Sequence, residues 1–282
     1  MEFLDPPARY AKRSTSRYAV LPVPYEGAVS WLGGMAAAPA AILEASAQVE
    51  WFDEETQKDL LTPGIVTIPG VPPAEDPDHQ YGRIHQAATG LHEEGKFVLA
   101  LGGDHSITPP LVAAAAKKHK ELSVLQIDAH ADLRDVYKNS RHCHACAMRR
   151  VLEIVPRLAQ VGIRSWSGQE HRRCPVQVER FITAERVRRD PKWMDAALAL
   201  LSDTVYVTVD VDGFDPSEAP GVGTPEPGGL HWPEVTALLK RVAAERNIVA
   251  ADIVEVRPIP PSTVTEFLAA RLACKIIAYT QG

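Results

Sequence analysis

Four cysteines in 282 residues are too few to staple a fold of this length. Cys143 and Cys146 form a Cys-x-x-Cys pair. A redox role for it needs a thioredoxin-like setting, and a zinc role needs a second Cys/His pair. The sequence offers neither, so the pair reads as structural or incidental. An excess of positive charge is also missing. The formal net charge is −6, which argues against a phosphate backbone as partner. No apolar run is long enough to span a bilayer. The N-terminal stretch carries Asp5, Pro6, Pro7, Arg9, Lys12 and Arg13 and lacks the apolar centre of a signal peptide. The expectation is a soluble, cytoplasmic protein with no membrane and no nucleic-acid partner. Internal repeats, low-complexity tracts and linkers are absent as well. Residues 1–282 therefore read as one domain, with residues 1–17 as an N-terminal arm or covering segment.

What is present is core material: 45% of the residues are hydrophobic and 23% charged, an ordinary globular balance. Short β-branched and apolar runs predict strands over residues 18–23, 64–68, 97–101, 123–127, 158–163, 178–182, 204–209 and 248–254. Helices are expected between them. One is opened by Pro39, with Ile42, Leu43, Ser46 and Val49 as its apolar stripe. A second spans 79–94 and ends at Gly95. A third is capped by Thr108 and opened by Pro109 and Pro110. Others cover 141–155 after its first few residues, 193–201, 231–245 and 264–279, the last with a Thr263/Glu266 capping box. Residues 24–34 and 218–229 read as loops, and so does a polar stretch running through Arg173. Alternating strands and helices argue for an α/β fold with a mainly parallel sheet and helices on both faces. In such sheets the ligand crevice lies outside the carboxyl ends of the strands.

The densest chemistry sits at one such end, in Leu-Gln-Ile-Asp-Ala-His-Ala-Asp-Leu over residues 125–133. Asp128, His130 and Asp132 occupy alternate positions, so an extended backbone would aim all three the same way. Alone, this could be a solvated strand end with a chance histidine. However, His105 follows another predicted strand, and Asp210 and Asp212 follow a third. Two imidazoles and four carboxylates exceed the three protein ligands of a catalytic zinc site. They fit two divalent ions sharing bridging carboxylates, and this oxygen-rich set suits Mn²⁺ better than Zn²⁺ or Cu²⁺. Without metal the clustered carboxylates would repel one another and raise some of their pKa values. Two neighbouring ions can bind one water and bring its pKa toward neutrality.

These residues carry a family resemblance. Gly102-Gly103-Asp104-His105-Ser106, Asp128-Ala129-His130-Ala131-Asp132 and Thr208-Val209-Asp210-Val211-Asp212, with Asp215-Pro216, Ala219-Pro220-Gly221 and Gly229, resemble the three signatures of the ureohydrolases. That is the arginase and agmatinase family of binuclear manganese hydrolases. Tyr25-Glu26-Gly27, Thr224-Pro225-Glu226-Pro227-Gly228-Gly229 and His144 with Arg149-Arg150 look most like agmatinases and agmatinase-like enzymes. The resemblance implies a three-layer α/β/α sandwich and two Mn²⁺ per chain, held by His105, Asp128, His130, Asp132, Asp210 and Asp212. It implies that His144 shuttles protons, that Asp132 accepts the proton of the attacking hydroxide, and that Glu255 holds a guanidinium. It further implies a small guanidino substrate and a homo-oligomer, trimeric or hexameric. The implied reaction is hydrolysis of a guanidino C–N bond, with agmatine giving putrescine and urea. Agmatine is favoured over arginine because the chain lacks the arginase-type residues that would recognise an α-amino acid head group. Guanidinobutyrase, arginase and formiminoglutamase activities stay open beside it, and so do a metal-dependent deacetylase and a non-catalytic metal-binding role. Where agmatinases often carry His-Gly-Thr, this chain has His144-Ala145-Cys146.

Overall fold

The computed structural model describes residues 1–281. β1 (Tyr18–Val23) is followed by α1 (Ala38–Ser46) and a small hairpin, β2 (Phe52–Asp53) and β3 (Lys58–Asp59). Next come β4 (Ile65–Thr67), α2 (Pro77–Glu93), β5 (Phe97–Gly102), α3 (Thr108–Lys118), β6 (Leu122–Ile127), α4 (Ala147–Val151) and β7 (Leu158–Ile163). The chain continues through α5 (Gly168–Arg173), α6 (Pro175–Val178), β8 (Ile182–Thr183), α7 (Ala184–Arg189) and α8 (Trp193–Leu200). It closes with β9 (Thr204–Asp210), α9 (Trp232–Glu245), β10 (Asn247–Val254) and α10 (Val264–Thr280).

Eight strands form one sheet in the order β4-β1-β5-β10-β9-β6-β7-β8, and each described pairing within it is parallel. The strands are apolar on both faces because each face meets helices. In β5, Phe97, Leu99 and Leu101 enter one core while Val98 and Ala100 enter the other. The same alternation puts Val205, Val207 and Val209 of β9 on the first side and Tyr206 on the second. Helices α1, α8, α9 and α10 cover the first face, and α2, α3 and α4 cover the second. The expected three-layer α/β/α sandwich is therefore what the chain forms. Phe3 and Leu4 are buried in the first core, where the Leu4 N–H donates to Ser46 Oγ at 2.9 Å. Among the described residues no helix is long and apolar enough to cross a membrane.

Several local expectations are corrected. Thr108 does not cap α3 but is its first residue, and its hydroxyl donates to Asp252 instead. Thr263 makes no side-chain cap to α10. Helix α4 ends at Val151, well short of residue 155, and is preceded by a 3₁₀ turn at His144–Cys146. The polar stretch through Arg173 contains α5, opened by a Ser167/Glu170 capping box that Gly168 at the first helical position disguises. Of the strand expected at 178–182, Pro175–Val178 is helical and only Ile182 pairs.

The register sets up the site. Leu101, Ile253, Val209 and Ile127 stand in one row across β5, β10, β9 and β6. These are the four central strands, and each continues into a polar cluster within four residues of that row. The chain order reverses here, since β5 leads to β6 across the two strands between them. That is the switch-point crevice of an open parallel sheet.

Candidate metal centre

His105 opens a short 3₁₀ turn after β5. Asp104 fixes its entry, accepting from Ser106 N–H at 3.0 Å and from Gly27 N–H at 2.7 Å. A Cβ on Gly103 would stand 1.9 Å from the Tyr25 carbonyl oxygen, so only glycine permits this approach of the two loops. Glu26 closes the other loop by accepting from the N–H groups of Gly34 and Ala36.

The His105 imidazole is oriented from behind. Thr208 Oγ1 donates to Asp252 Oδ1 at 2.5 Å, so it must accept from His105 Nε2–H, 2.9 Å away. Tyr206 and Thr108 complete the Asp252 carboxylate. Nδ1, on the far side of the ring, faces three carboxylate oxygens; burial would lower the His105 pKa, but these neighbours raise it well above the ordinary imidazole value. Asp128 Oδ2 and Asp132 Oδ2 lie at 3.1 Å and Asp210 Oδ2 at 3.3 Å. Nδ1 is buried and has no hydrogen-bond partner. One imidazole nitrogen facing three carboxylate oxygens calls for positive charge among them, a proton on the ring or a divalent ion in its place.

A second set adjoins the first. His130 Nδ1 lies 2.9 Å from Asp212 Oδ2 and 3.8 Å from Asp128 Oδ1. His105, Asp128 and Asp132 offer atoms mutually within 4.8 Å, and so do Asp128, His130 and Asp212. Asp128 belongs to both sets and turns one oxygen to each. The side chains of all six sequence-predicted candidates are thus brought together. Asp132 does not reach the cluster as a simple strand extension, because its φ of +53° bends the chain back toward His105.

The electrostatics show what the cluster lacks. Burial, together with repulsion from Asp212 and Asp132, pushes the Asp128 carboxyl up to about 7. Burial also drives Asp210 well above the carboxylate range, helped by Asp212 and Asp128. For His130, burial alone would lower the pKa, but the Asp212 charge overrides it and the imidazole reaches about 11. Burial would likewise raise Asp212, but its pairing with His130 holds it low instead. The donor set is therefore short of positive charge, and divalent ions would supply it.

Glu255 follows β10 with a left-handed φ of +65°, a conformation that costs a non-glycine residue about 1–3 kcal/mol. Its N–H donates to Gly103 O and its Oε1 accepts from His105 N–H, both at 2.8 Å. Burial, then the nearby Asp104 charge, raises its pKa well above normal. A cleft of about 230 Å³ connects Glu255 with His130, Asp132, Asp210 and Asp212. His144 lies on the same cleft, its Nε2 2.7 Å from Ser30 Oγ and its ring edge-on to Tyr137. Trp31 and Trp166, 70% and 41% exposed, also line it, together with Arg134.

Some supporting residues escaped sequence reasoning. Arg164 threads its guanidinium among the carbonyls of Asp212, Phe214 and Glu226, pinning the loop after β9. A buried amide chain reaches Asp128 from the sheet edge. Gln177 Nε2 donates to Gln160 Oε1, Gln160 Nε2 to Gln126 Oε1, and Gln126 Nε2 to Asp128 Oδ2, at 2.9, 2.5 and 2.5 Å. Each amide nitrogen spends its other hydrogen on a backbone carbonyl. Only the first link had a signal in the sequence, because Gln126 stands two residues before Asp128 on the same strand; its register partner Gln160 emerges only in the folded sheet. Gln126→Met keeps the volume but removes the donor to Asp128. It is expected to weaken metal affinity by about ten- to a hundredfold, the usual effect of losing a partner behind a ligand. Manganese titration followed calorimetrically checks this, and an affinity within twofold of the parent would contradict it.

The comparisons with known proteins agree with this geometry. Residues 16–278 match the model of the arginase family. The N(1)-aminopropylagmatine ureohydrolase of Synechocystis sp. is 37% identical over 268 residues, covering 92% of this chain and 88% of that protein. The agmatinase of Bacillus subtilis is 29% identical, covering 84% and 82%. The crystal structure of the agmatine ureohydrolase of Thermoplasma volcanium superposes with a TM-score of 0.88 at 31% identity, covering 96% of this chain and 92% of that one. The chain belongs to the arginase family, and it is an agmatinase-like ureohydrolase that hydrolyses an amidino C–N bond.

Proposed function

We propose that the chain is a binuclear manganese ureohydrolase that releases urea from a guanidine carried on an alkyl polyamine, preferring N(1)-aminopropylagmatine to agmatine itself. The observation that carries this is the placement of Glu255 on one cleft with two donor sets that share Asp128. His105, Asp128, Asp132 and Asp210 would hold one ion, and His130, Asp128 and Asp212 the other. When bound, the ions would supply Lewis-acid polarisation and a water acidified toward neutrality.

The remaining work falls to the chain. Glu255 has one oxygen held by His105 N–H and turns the rest of its carboxylate to the cleft, where it can accept N–H bonds from a planar guanidinium. The substrate's positive charge offsets the burial that raises the Glu255 pKa. In this reading Asp132, which lines the cleft, accepts a proton, and His144, beside Ser30 and Tyr137 on the same cleft, carries protons between the cleft and solvent. Water adds to the guanidino carbon, the C–N bond to the alkyl chain breaks, and the amine leaves protonated beside urea.

The choice of tail rests on two supports. Relatives named N(1)-aminopropylagmatine ureohydrolase are 37–38% identical to this chain, and Bacillus agmatinases 29–30%. The exposed faces of Trp31 and Trp166 suit a long cationic tail. Arg134, with its guanidinium 5.2 Å from the Tyr137 ring centre, favours a second reading, a guanidino acid such as 4-guanidinobutyrate. Urea release from N(1)-aminopropylagmatine, agmatine, 4-guanidinobutyrate and arginine separates them. The expected order of kcat/KM places the aminopropyl compound first and arginine last. If 4-guanidinobutyrate leads, the Arg134 reading replaces the polyamine one. A single domain and a cytoplasmic setting, expected from composition, and a trimeric or hexameric assembly, implied by the family resemblance, belong to the same proposal.

A further inference from the structure

We infer that Cys143 and Cys146 form a reversible disulfide buried directly behind the wall of the active cleft, and that closing it takes His144 out of its working position. The sequence spacing alone gave no such reason, but the folded chain supplies one. The two sulfurs lie 3.2 Å apart, and a disulfide needs about 2 Å. Both cysteines are buried, 1% and 0% exposed, yet the two residues between them, His144 and Ala145, line the cleft. A small oxidant entering the cleft thus arrives beside the pair. The other two thiols are engaged elsewhere. Cys174 lies 3.5 Å from Arg149 Nη1, and Cys274 sits in the opposite core.

The pair is also chemically unequal. The contact between the two sulfurs holds the Cys143 thiol below its ordinary range and pushes Cys146 above it. Cys143 is therefore the attacking sulfur and Cys146 the resolving one. With hydrogen peroxide as oxidant, the Cys143 thiolate attacks one peroxide oxygen, giving a sulfenic acid and water. The Cys146 sulfur then displaces the sulfenic oxygen as a second water. Two S–H bonds are lost and one S–S bond forms. The sulfurs give up two electrons and the peroxide takes them. Drawing residues 143 and 146 together re-forms the turn at His144–Cys146, on which the Ser30 and Tyr137 contacts of His144 depend.

The bond is tested without reference to activity, and the loss of turnover additionally rests on the proton-carrying role proposed for His144. Manganese-loaded protein is treated with hydrogen peroxide, denatured, titrated for thiols and mapped as unreduced peptides. The expected result is two remaining thiols of four and a peptide joining Cys143 to Cys146. Before denaturation, kcat should have fallen by at least about tenfold with KM little changed, and dithiothreitol should restore it. Cys146→Ser should hold its kcat at the same dose. Four titratable thiols, a linkage to Cys174, or sulfinic acid on a single cysteine would each overturn the disulfide. A mapped Cys143–Cys146 bond with unchanged turnover would overturn its effect on His144. If Cys146→Ser does not fold, the mapping of the parent protein still decides. If no guanidino compound is hydrolysed in the reduced state either, the proposed function fails while the mapping stands on its own.

Discussion

Replacing Asp128 with alanine is expected to lower urea release by roughly several hundredfold or more, the largest effect of any single substitution in the site. Asp128 is the one residue common to both donor sets, with one oxygen toward His105 and the other toward His130. Losing it removes a ligand from both ions at once and a negative charge from the middle of the cluster. It also strands the Gln126 amide, whose donor would then have no carboxylate to meet. Asp128→Asn separates the two contributions, since it keeps the Gln126-facing volume and loses the charge. Calorimetric manganese titration of the alanine variant should show neither tight site. Activity within tenfold of the parent, or two ions still bound tightly, would remove Asp128 from its bridging place.

The second large effect is expected at Glu255. Glu255→Gln keeps the shape and can still accept from His105 N–H, but it turns one acceptor facing the cleft into a donor. A charge-assisted bond is worth roughly 1.5–3 kcal/mol, so kcat/KM for a guanidino substrate should fall about ten- to a hundredfold. Bound manganese should stay the same. Stability should not fall and should rise if anything, because burial and the Asp104 charge both oppose the ionised Glu255 in the substrate-free protein. That sign distinguishes a residue kept for its ligand from one kept for the fold. A variant that loses its ions or its stability along with its activity would make Glu255 part of the metal scaffold instead.

Much of this site was legible in the sequence because it follows from a period of two. The i, i+2 spacing of Asp128 with His130 and of Asp210 with Asp212 flagged both pairs at strand ends, although Asp212 reaches the cluster from a 3₁₀ turn at Val211–Gly213 rather than from an extended strand. A parallel sheet then gathers those ends at one rim. Strands that are apolar on both faces, such as β5 and β9, were equally plain. What could not be read depends on contacts far apart in the chain. The hydroxyl of Thr108 looked like a helix cap, yet it serves Asp252, 144 residues away. The left-handed backbone at Asp132 and Glu255 is imposed by tertiary contacts, as when Gly103 O takes the Glu255 N–H. The capping box of α5 was hidden behind a glycine, and the Gln177-Gln160-Gln126 chain crosses three separate segments. Cys143 and Cys146 were visible as a pair from the start. Their position beside the cleft was not, because it depends on how His144 and Ala145 are turned.

Urea release measured against manganese added per chain, with N(1)-aminopropylagmatine in excess, bears most directly on the central claim. Activity should be negligible in the metal-free protein and rise to a plateau at about two ions per chain, as a donor set of six oxygen and nitrogen ligands requires. Two ions bound with no urea from this or any other guanidino compound would contradict it.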